Sequence, residues 1–253
     1  MGQGQHATTN LYPALGYAGI ELVATCANHN ADYSYWLEML DKEKFDAIIA
    51  CVNPTLHFVI ATEAAHRNIP IFIEKPPAPN AEDAKNLWIL AKSFIMVGFN
   101  KRFAPVFQEA KRLIPKPVSI SANINVGKCK TKMELGMEVG IHYVDLFRYF
   151  GKGGILSISD QLSWENATEH IEILGEGQLA IIDNGKLTHY KEGKITVIEP
   201  NRLVPDKENH LIFTNGYVGE LSYFAEMVSQ KKIGTSNIED GFNAMLEIEK
   251  LYE

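Results

Sequence analysis

Ile69-Pro70-Ile71-Phe72-Ile73-Glu74-Lys75-Pro76 is an apolar run closed by an ion pair and a proline. Proline fixes its own φ and biases Lys75 towards an extended backbone. A lysine held rigidly at the mouth of a strand is a ready proton carrier, and Glu74 beside it can hold the ammonium in place. The stretches on either side decide what kind of strand this is. Residues 21–26, 47–52 and 95–99 are further buried strand-like runs. Residues 57–67 and 81–92 carry apolar positions at helical spacing, and Asn80 is set to cap the second helix with acidic residues in its first turn. Strand, helix, strand in this rhythm means βαβ units, hence a parallel sheet covered on both faces.

After about residue 115 the texture changes. Residues 117–126 are β-rich and residues 139–150 form an amphipathic helix. Short alternating strands follow at 155–163, 169–174, 178–182, 186–190 and 195–198, separated by turns such as Asp183-Asn184-Gly185 and Glu192-Gly193. This half is expected to hold an open, mostly antiparallel sheet, with closing helices at 219–230 and 238–252. The fold class is therefore α/β, with domains expected at 1–104 and 105–253, the closing helix packing back on the first.

The 253 residues are 46% hydrophobic and 22% charged, enough for one large core or two ordinary ones. A net charge of −7 with no basic run argues against nucleic acid as a partner. Cys26, Cys51 and Cys129 are too few and too scattered for a disulfide framework. No stretch is long and apolar enough to span a bilayer and no signal-peptide pattern opens the chain, so a cytoplasmic setting and no membrane partner are expected.

Four stretches carry chemistry. Gly2-Gln3-Gly4-Gln5-His6-Ala7 is a Gly-x-Gly-x-x-Ala string before a helical pattern, a turn whose backbone can approach a pyrophosphate. A glycine-rich leader is the plain alternative, because no strand precedes the string. Asn53, Pro54, Thr55 and His57 follow a strand and open a helix, at the carboxyl edge where a doubly wound sheet binds ligands; an ordinary turn with Thr55 as helix cap is equally consistent. Glu138, His142 and Asp145, at i, i+4 and i+7, share one helix face. An imidazole between two carboxylates suits general acid–base work, while the same spacing suits a metal ion or a solvated polar stripe. No second His/Cys/Asp cluster supplies further ligands, so no metal is expected and a metal-dependent hydrolase is disfavoured. Finally, Asn100-Lys101-Arg102 follows a strand, where the cations can anchor substrate hydroxyls or phosphates or be plain surface charges.

Together these blocks resemble the Gfo/Idh/MocA oxidoreductases, the glucose-fructose oxidoreductase and inositol dehydrogenase family. The likeness runs through "ELVATC", "DAIIACVNPTLHFVIATEAA", "IPIFIEKPPA", "VGFNKRFAP", "GIHYVDLFRYFG" and "HIEILGEGQLAIIDNG". The resemblance implies an N-terminal Rossmann domain that binds NAD or NADP through Gly2, Gly4, Gln5, His6, Ala7, Asn53, Pro54, Thr55, His57, Glu74 and Lys75. It implies hydride transfer between nicotinamide and a hydroxyl- or keto-bearing carbon of a sugar, sugar derivative or cyclitol. Lys75 corresponds to the lysine beside the reacting oxygen, His142 to the proton acceptor, and Asp145 to the last residue of the family's Asp-x-x-x-His-x-x-Asp motif. Asn100 and Arg102 join Lys75 and His142 as expected substrate-binding residues. A homodimer or homotetramer through the open sheet face is also expected.

Three departures stand out. Glu138 replaces the first Asp of that motif. Ala27-Asn28-His29 lacks the acid that reads a free ribose 2′-hydroxyl, leaving NAD and NADP both open, and no arginine is near to take a 2′-phosphate. The first Rossmann strand is missing, which predicts bare strand edges and uncovered apolar surface. With shortening at 28–33, 93–95 and 128–135, this gives the expectation that segments of the family pattern are lost, which an intact mass different from 28.3 kDa would support. A catalytically silent, sugar-binding or regulatory relative is the alternative reading.

Overall fold

In the computed structural model, which describes residues 1–200 and 210–252, the chain divides into two units. The first is Met1–Phe99 with Tyr217–Leu246, the second Asn100–Gly216 with Glu247–Glu253.

The first unit opens with a π-helical turn, Ala7–Leu11, leading into α1 (Tyr12–Tyr17). Then come α2 (Trp36–Lys42), β1 (Ile48–Ala50), α3 (Pro54–Arg67), β2 (Ile71–Ile73), α4 (Ala81–Leu90) and β3 (Ile95–Val97). The strands form a parallel sheet in the order β1-β2-β3, pairing Ile48 with Ile71 and Ile71 with Ile95. Every side chain of β2 and β3 is buried, as a sheet covered on both faces requires. Asn53, not Thr55, caps α3: its Oδ1 accepts from the Leu56 N–H at 3.0 Å, and Pro54 supplies a preset φ in the first turn. Asn80 caps α4 in the same way, accepting from Asp83 N–H at 2.8 Å.

Residues 21–26 depart from expectation. They form no strand, and Cys26 alone makes an isolated bridge, with Tyr33. A β-rich segment becomes a strand only when a neighbour accepts its hydrogen bonds. Between this segment and β1 lies a groove of about 1160 Å³, lined among others by Leu22, Val23, Ile48, Ile49, Phe94 and Phe224. Met1 and Gly2 link its two sides at one end. The Met1 ammonium donates to Ile49 O at 2.5 Å, Cys51 N–H to Met1 O at 2.9 Å, and Gly2 N–H to Cys26 O at 2.9 Å. Along the rest of the groove Leu22 and Val23 stay 51% and 53% exposed, the uncovered apolar surface expected from the sequence.

The second unit starts with a 3₁₀ turn, Asn100–Phe103, and α5 (Pro105–Leu113). Next are β4 (Ser119–Gly127), α6 (Lys132–Leu135), a π-helical turn (Gly136–Gly140), α7 (Ile141–Phe150) and β5 (Ile155–Leu162). A meander follows, β6 (Thr168–Gly175), β7 (Gln178–Asp183), β8 (Lys186–Lys191) and β9 (Lys194–Ile198), and then α8 (His210–Thr214). The sheet order is β5-β4-β6-β7-β8-β9, antiparallel except for the β4–β5 pair. That parallel pair needs a crossover, and α6 and α7 supply it. Both expected tight turns are present: Asn184-Gly185 and Glu192-Gly193 take positive φ at both central positions, which matches the twist of a two-residue hairpin. One sheet face packs Ile120, Ala122, Ile171, Ile173, Ala180 and Ile182 into a core with Phe107, Leu146 and Phe147. On the other face, Ile155, Leu174, Tyr190, Ile195 and Val197 stand exposed.

In the first unit α9 (Tyr217–Gln230) carries a buried face of Val218, Leu221, Phe224 and Met227, and α10 (Ile238–Tyr252) continues past the unit boundary. Among the described residues, no helix is long and apolar enough to cross a membrane.

Candidate functional site

The carboxyl ends of β1 and β2 hold one polar cluster. Gly2 sits at φ +92°, and a Cβ there would lie 2.0 Å from Cys51 O, so only glycine lets the backbone pass. Gly4 faces open space, which leaves the turn's backbone approachable by a ligand, as a pyrophosphate requires. His6 Nδ1 accepts from Asn10 Nδ2 at 3.1 Å, so Nε2 carries the proton and donates to Glu74 Oε1, also at 3.1 Å. The glycine turn is thereby tied to the end of β2. Glu74 is 7% exposed, and its Oε2 accepts the Lys75 backbone N–H at 3.3 Å. Lys75 is half-buried and joined to Pro76 by a cis peptide.

His57 is placed differently from the other residues expected at the cofactor. It is 1% exposed, its Nε2 accepts from Val52 N–H at 3.1 Å, and Nδ1 therefore donates to Pro76 O at 3.0 Å. The ring is a neutral brace between the loop after β1 and the Lys75-Pro76 peptide. Burial pushes its pKa below 6.5, partly offset by the Pro76 carbonyl and the Glu74 charge. Asn53 is occupied as the α3 cap, with Pro54 and Thr55 in the first helical turn and Thr55 exposed.

The second unit gathers another cluster. Arg102 and Asp145 form a bidentate bridge, Nε to Oδ2 at 2.6 Å and Nη2 to Oδ1 at 2.5 Å, at 4% and 1% exposure. Asp145 thus holds the 3₁₀ turn that carries Asn100 against the helix that carries His142. Asn100 Nδ2 donates to Asn215 O at 2.9 Å. Gly216 beside it has φ +89°, and a Cβ there would lie 2.1 Å from Asn100 O. Lys101 bonds Glu169, and the Tyr143 hydroxyl donates to the same Glu169 oxygen at 2.7 Å. Burial, then the Glu169 charge, push the Tyr143 phenol well above its usual value.

Glu138, His142 and Asp145 do not share one environment. Glu138 lies in the π-helical turn and is exposed, His142 is half-buried, and Asp145 is buried. The 3.6-residue spacing holds from Ile141 onward but not across Gly136–Gly140. Those two glycines lie against Ile248 and Tyr252, where a Cβ on Gly136 would come within 2.6 Å of the Tyr252 ring. Sequence reasoning missed Glu169, which had no motif around it, and Glu220 of α9. The latter had a signal: an acid three residues after Tyr217, among the apolar positions of an amphipathic helix.

A parallel sheet with a glycine turn, a capped loop and a buried Glu beside a Lys at its strand ends is the frame of a Rossmann-type protein. Residues 18–98 match the family model described as "Oxidoreductase family, NAD-binding Rossmann fold", so over that stretch the chain is similar to the Gfo/Idh/MocA oxidoreductases. A putative oxidoreductase YceM of Salmonella typhimurium is 33% identical over 78 residues, covering 30% of this chain and 25% of that protein. An uncharacterized oxidoreductase YrbE of Bacillus subtilis is 25% identical over 191 residues, 64% of this chain and 56% of that one. Inositol 2-dehydrogenase of Corynebacterium glutamicum is 24% identical over 125 residues, 45% and 37% of the two chains. The chain thus spans about half or less of the curated relatives it matches. Among solved structures, a dehydrogenase from Chromobacterium violaceum superposes with TM-score 0.88 at 18% identity, covering 99% of this chain and 92% of that one. An oxidoreductase from Agrobacterium radiobacter in complex with NAD+, L-tartaric acid and magnesium gives 0.82 at 15% identity, covering 97% and 92%. These likenesses concern the fold.

Proposed function

We propose that the chain is an NAD(P)-dependent oxidoreductase acting on a CH–OH or keto carbon of a sugar, sugar derivative or cyclitol. The observation that carries this reading is the His6–Glu74 bond, which fixes the glycine turn to the strand end bearing Lys75. The open backbone at Gly4 suits a dinucleotide phosphate, and Gly2, Gly4, Gln5, His6 and Ala7 would hold it, with Asn53, Pro54 and Thr55 lining the next loop. A bound nicotinamide would supply the hydride acceptor. The NAD form is favoured by Asp32, an acid in the loop after Cys26, whose Oδ2 is steadied by Thr25 N–H and Oγ1 at 2.8 Å each.

Alcohol oxidation needs a base for the hydroxyl proton and a positive group for developing alkoxide charge. His142 takes the proton in this reading, and the Lys75 ammonium stabilises the oxygen. Asp145 orients His142's helix through Arg102, while Asn100 and Arg102 shape the substrate end. A second copy of the chain covers the exposed apolar face of the second unit's sheet, giving a dimer or tetramer. The second reading, a catalytically silent sugar-binding or regulatory relative, is favoured by Glu138 standing where the family motif has Asp and by Asp145 being bound by Arg102.

Calorimetric titration with NAD(H) and NADP(H), then turnover on a panel of sugars and inositols, separates the two readings. His142→Ala is expected to lower kcat by about 10²–10⁴-fold and to leave cofactor affinity unchanged. Undiminished turnover in that variant removes His142 from the proton step, and no binding of either cofactor removes the enzyme reading.

A further inference from the structure

Helix α9 buries an acid. Glu220 is 0% exposed among Val218, Leu221 and Phe224, and neither of its carboxyl oxygens has a hydrogen-bond partner among the described residues. One turn earlier on the same helix, Tyr217 stands edge-on to His6, with ring centroids 5.5 Å apart and planes at 74°. His6 in turn bonds Glu74. Glu74 is sealed from its other side, since a Cβ on Gly98 would come within 3.0 Å of its Oε2. The charge of Glu74 thus reaches the buried Glu220 carboxyl.

A buried carboxylate without a partner is costly enough that the group neutralises instead. Two neighbouring carboxylates do not both ionise where water is excluded. Glu74 has His6 and the Lys75 N–H to stabilise its charge; Glu220 has neither. The other titratable groups around the pair are His6 from the glycine turn, Cys51 and the neutral His57 after β1, Lys75 after β2 and Tyr217 on α9 itself. Burial, then the charge of Glu74, raises the Cys51 pKa to about 12, and the same two causes raise that of the Tyr217 phenol, so both stay neutral. Burial, then the charge of Glu74, pushes the Glu220 carboxyl well above 4.5.

We propose that Glu220 is held protonated and is a positioning residue for Glu74-Lys75, and that its ionisation as the pH rises loosens the Tyr217–His6–Glu74 contact and with it dinucleotide binding. The part concerning Lys75 and the dinucleotide rests on the oxidoreductase reading; the protonation state does not. A carboxyl held neutral inside a protein is a stored proton, released only when the fold yields or the pH climbs.

Infrared difference spectra of the wild type and Glu220→Gln, an isosteric and permanently neutral variant, test the protonation directly. At neutral pH the carbonyl band of a protonated carboxylic acid is expected in the wild type and not in the variant; no such difference overturns the proposal. A group whose folded pKa is raised contributes stability that is present below its unfolded value and lost as pH rises towards the folded one. The wild-type unfolding midpoint is therefore expected to fall more steeply above about pH 5 than that of Glu220→Gln, and parallel profiles overturn the proposal. Should the variant fail to fold, alkaline bleaching of the band in the wild type alone decides. Nucleotide affinity of the wild type is expected to weaken by up to about tenfold per pH unit once Glu220 ionises. A pH-independent affinity removes the coupling, and no nucleotide binding at any pH removes the coupling along with the reading it rests on, while the infrared band still decides the proton.

Discussion

The two units treat buried charge in opposite ways. In the second, Arg102 meets Asp145 through two hydrogen bonds and Lys101 meets Glu169, which also takes the Tyr143 hydroxyl. In the first, Glu74 lies near a braced His57 and a suppressed thiol at Cys51, and its charge reaches a buried Glu220 whose oxygens have no hydrogen-bond partner among the described residues. Paired ions are insensitive to pH across the physiological range and fail when one partner is lost. Neutralised groups tolerate substitution by neutral isosteres but respond to pH. The contrast predicts a second unit stiffened by ion pairs and a first unit that titrates.

Asp145→Ala is expected to have the largest effect on stability, about 3–5 kcal/mol in chemical denaturation, because Arg102 is left as an unpaired buried charge. Replacing both partners by apolar residues of similar volume, as in Arg102→Met with Asp145→Leu, should cost less than either single change. A double variant as unstable as the singles combined would mean that the bridge itself, not the orphaned charge, sets the cost.

The His57 brace gives a pH effect of the opposite sign to that of Glu220. Its folded pKa lies below the unfolded value of 6.5, so its contribution is complete above 6.5 and is lost as pH falls towards the folded value. The unfolding midpoint is expected to drop between about pH 7 and pH 5, and His57→Gln to flatten that slope. An unaltered slope would place the acid sensitivity elsewhere. The smallest effect belongs to Asn53, whose replacement by Ala should cost about 1 kcal/mol as a lost helix cap, with Ser restoring most of it. A loss in cofactor affinity that Ser does not restore, measured by calorimetry, would give Asn53 a contact beyond its cap.

Much of this architecture was legible in the residues. Strands at 48–50, 71–73 and 95–97, and the whole meander from β6 to β9, are β-branched runs bounded by turn residues, and short-range chemistry is enough to find them. Residues 21–26 have the same composition and are not a strand, because a ladder is a property of two segments and Cys26 alone forms a bridge, an isolated one with Tyr33. The π-helical turn at Gly136–Gly140 escaped the 3.6-residue pattern, and its glycines lie against Ile248 and Tyr252, more than a hundred residues away. The pairing of Arg102 with Asp145, 43 residues apart, was hidden for the same kind of reason. Within the candidate site, sequence proximity revealed Glu74 beside Lys75 but not His6 against Glu74, and it marked His57 as a ligand-side residue when both its nitrogens are bound by backbone.

The bridge between Arg102 and Asp145 also bears on heat. Hydration of charged groups becomes less favourable as temperature rises, so keeping a guanidinium and a carboxylate away from water costs less in a warm protein than in a cold one. Apolar packing gains no comparable advantage over the same range. The turn that presents Asn100 and the helix that presents His142 are thus joined by a link whose relative worth grows on warming, so that this joint should outlast the apolar contacts around it as the chain approaches its melting point.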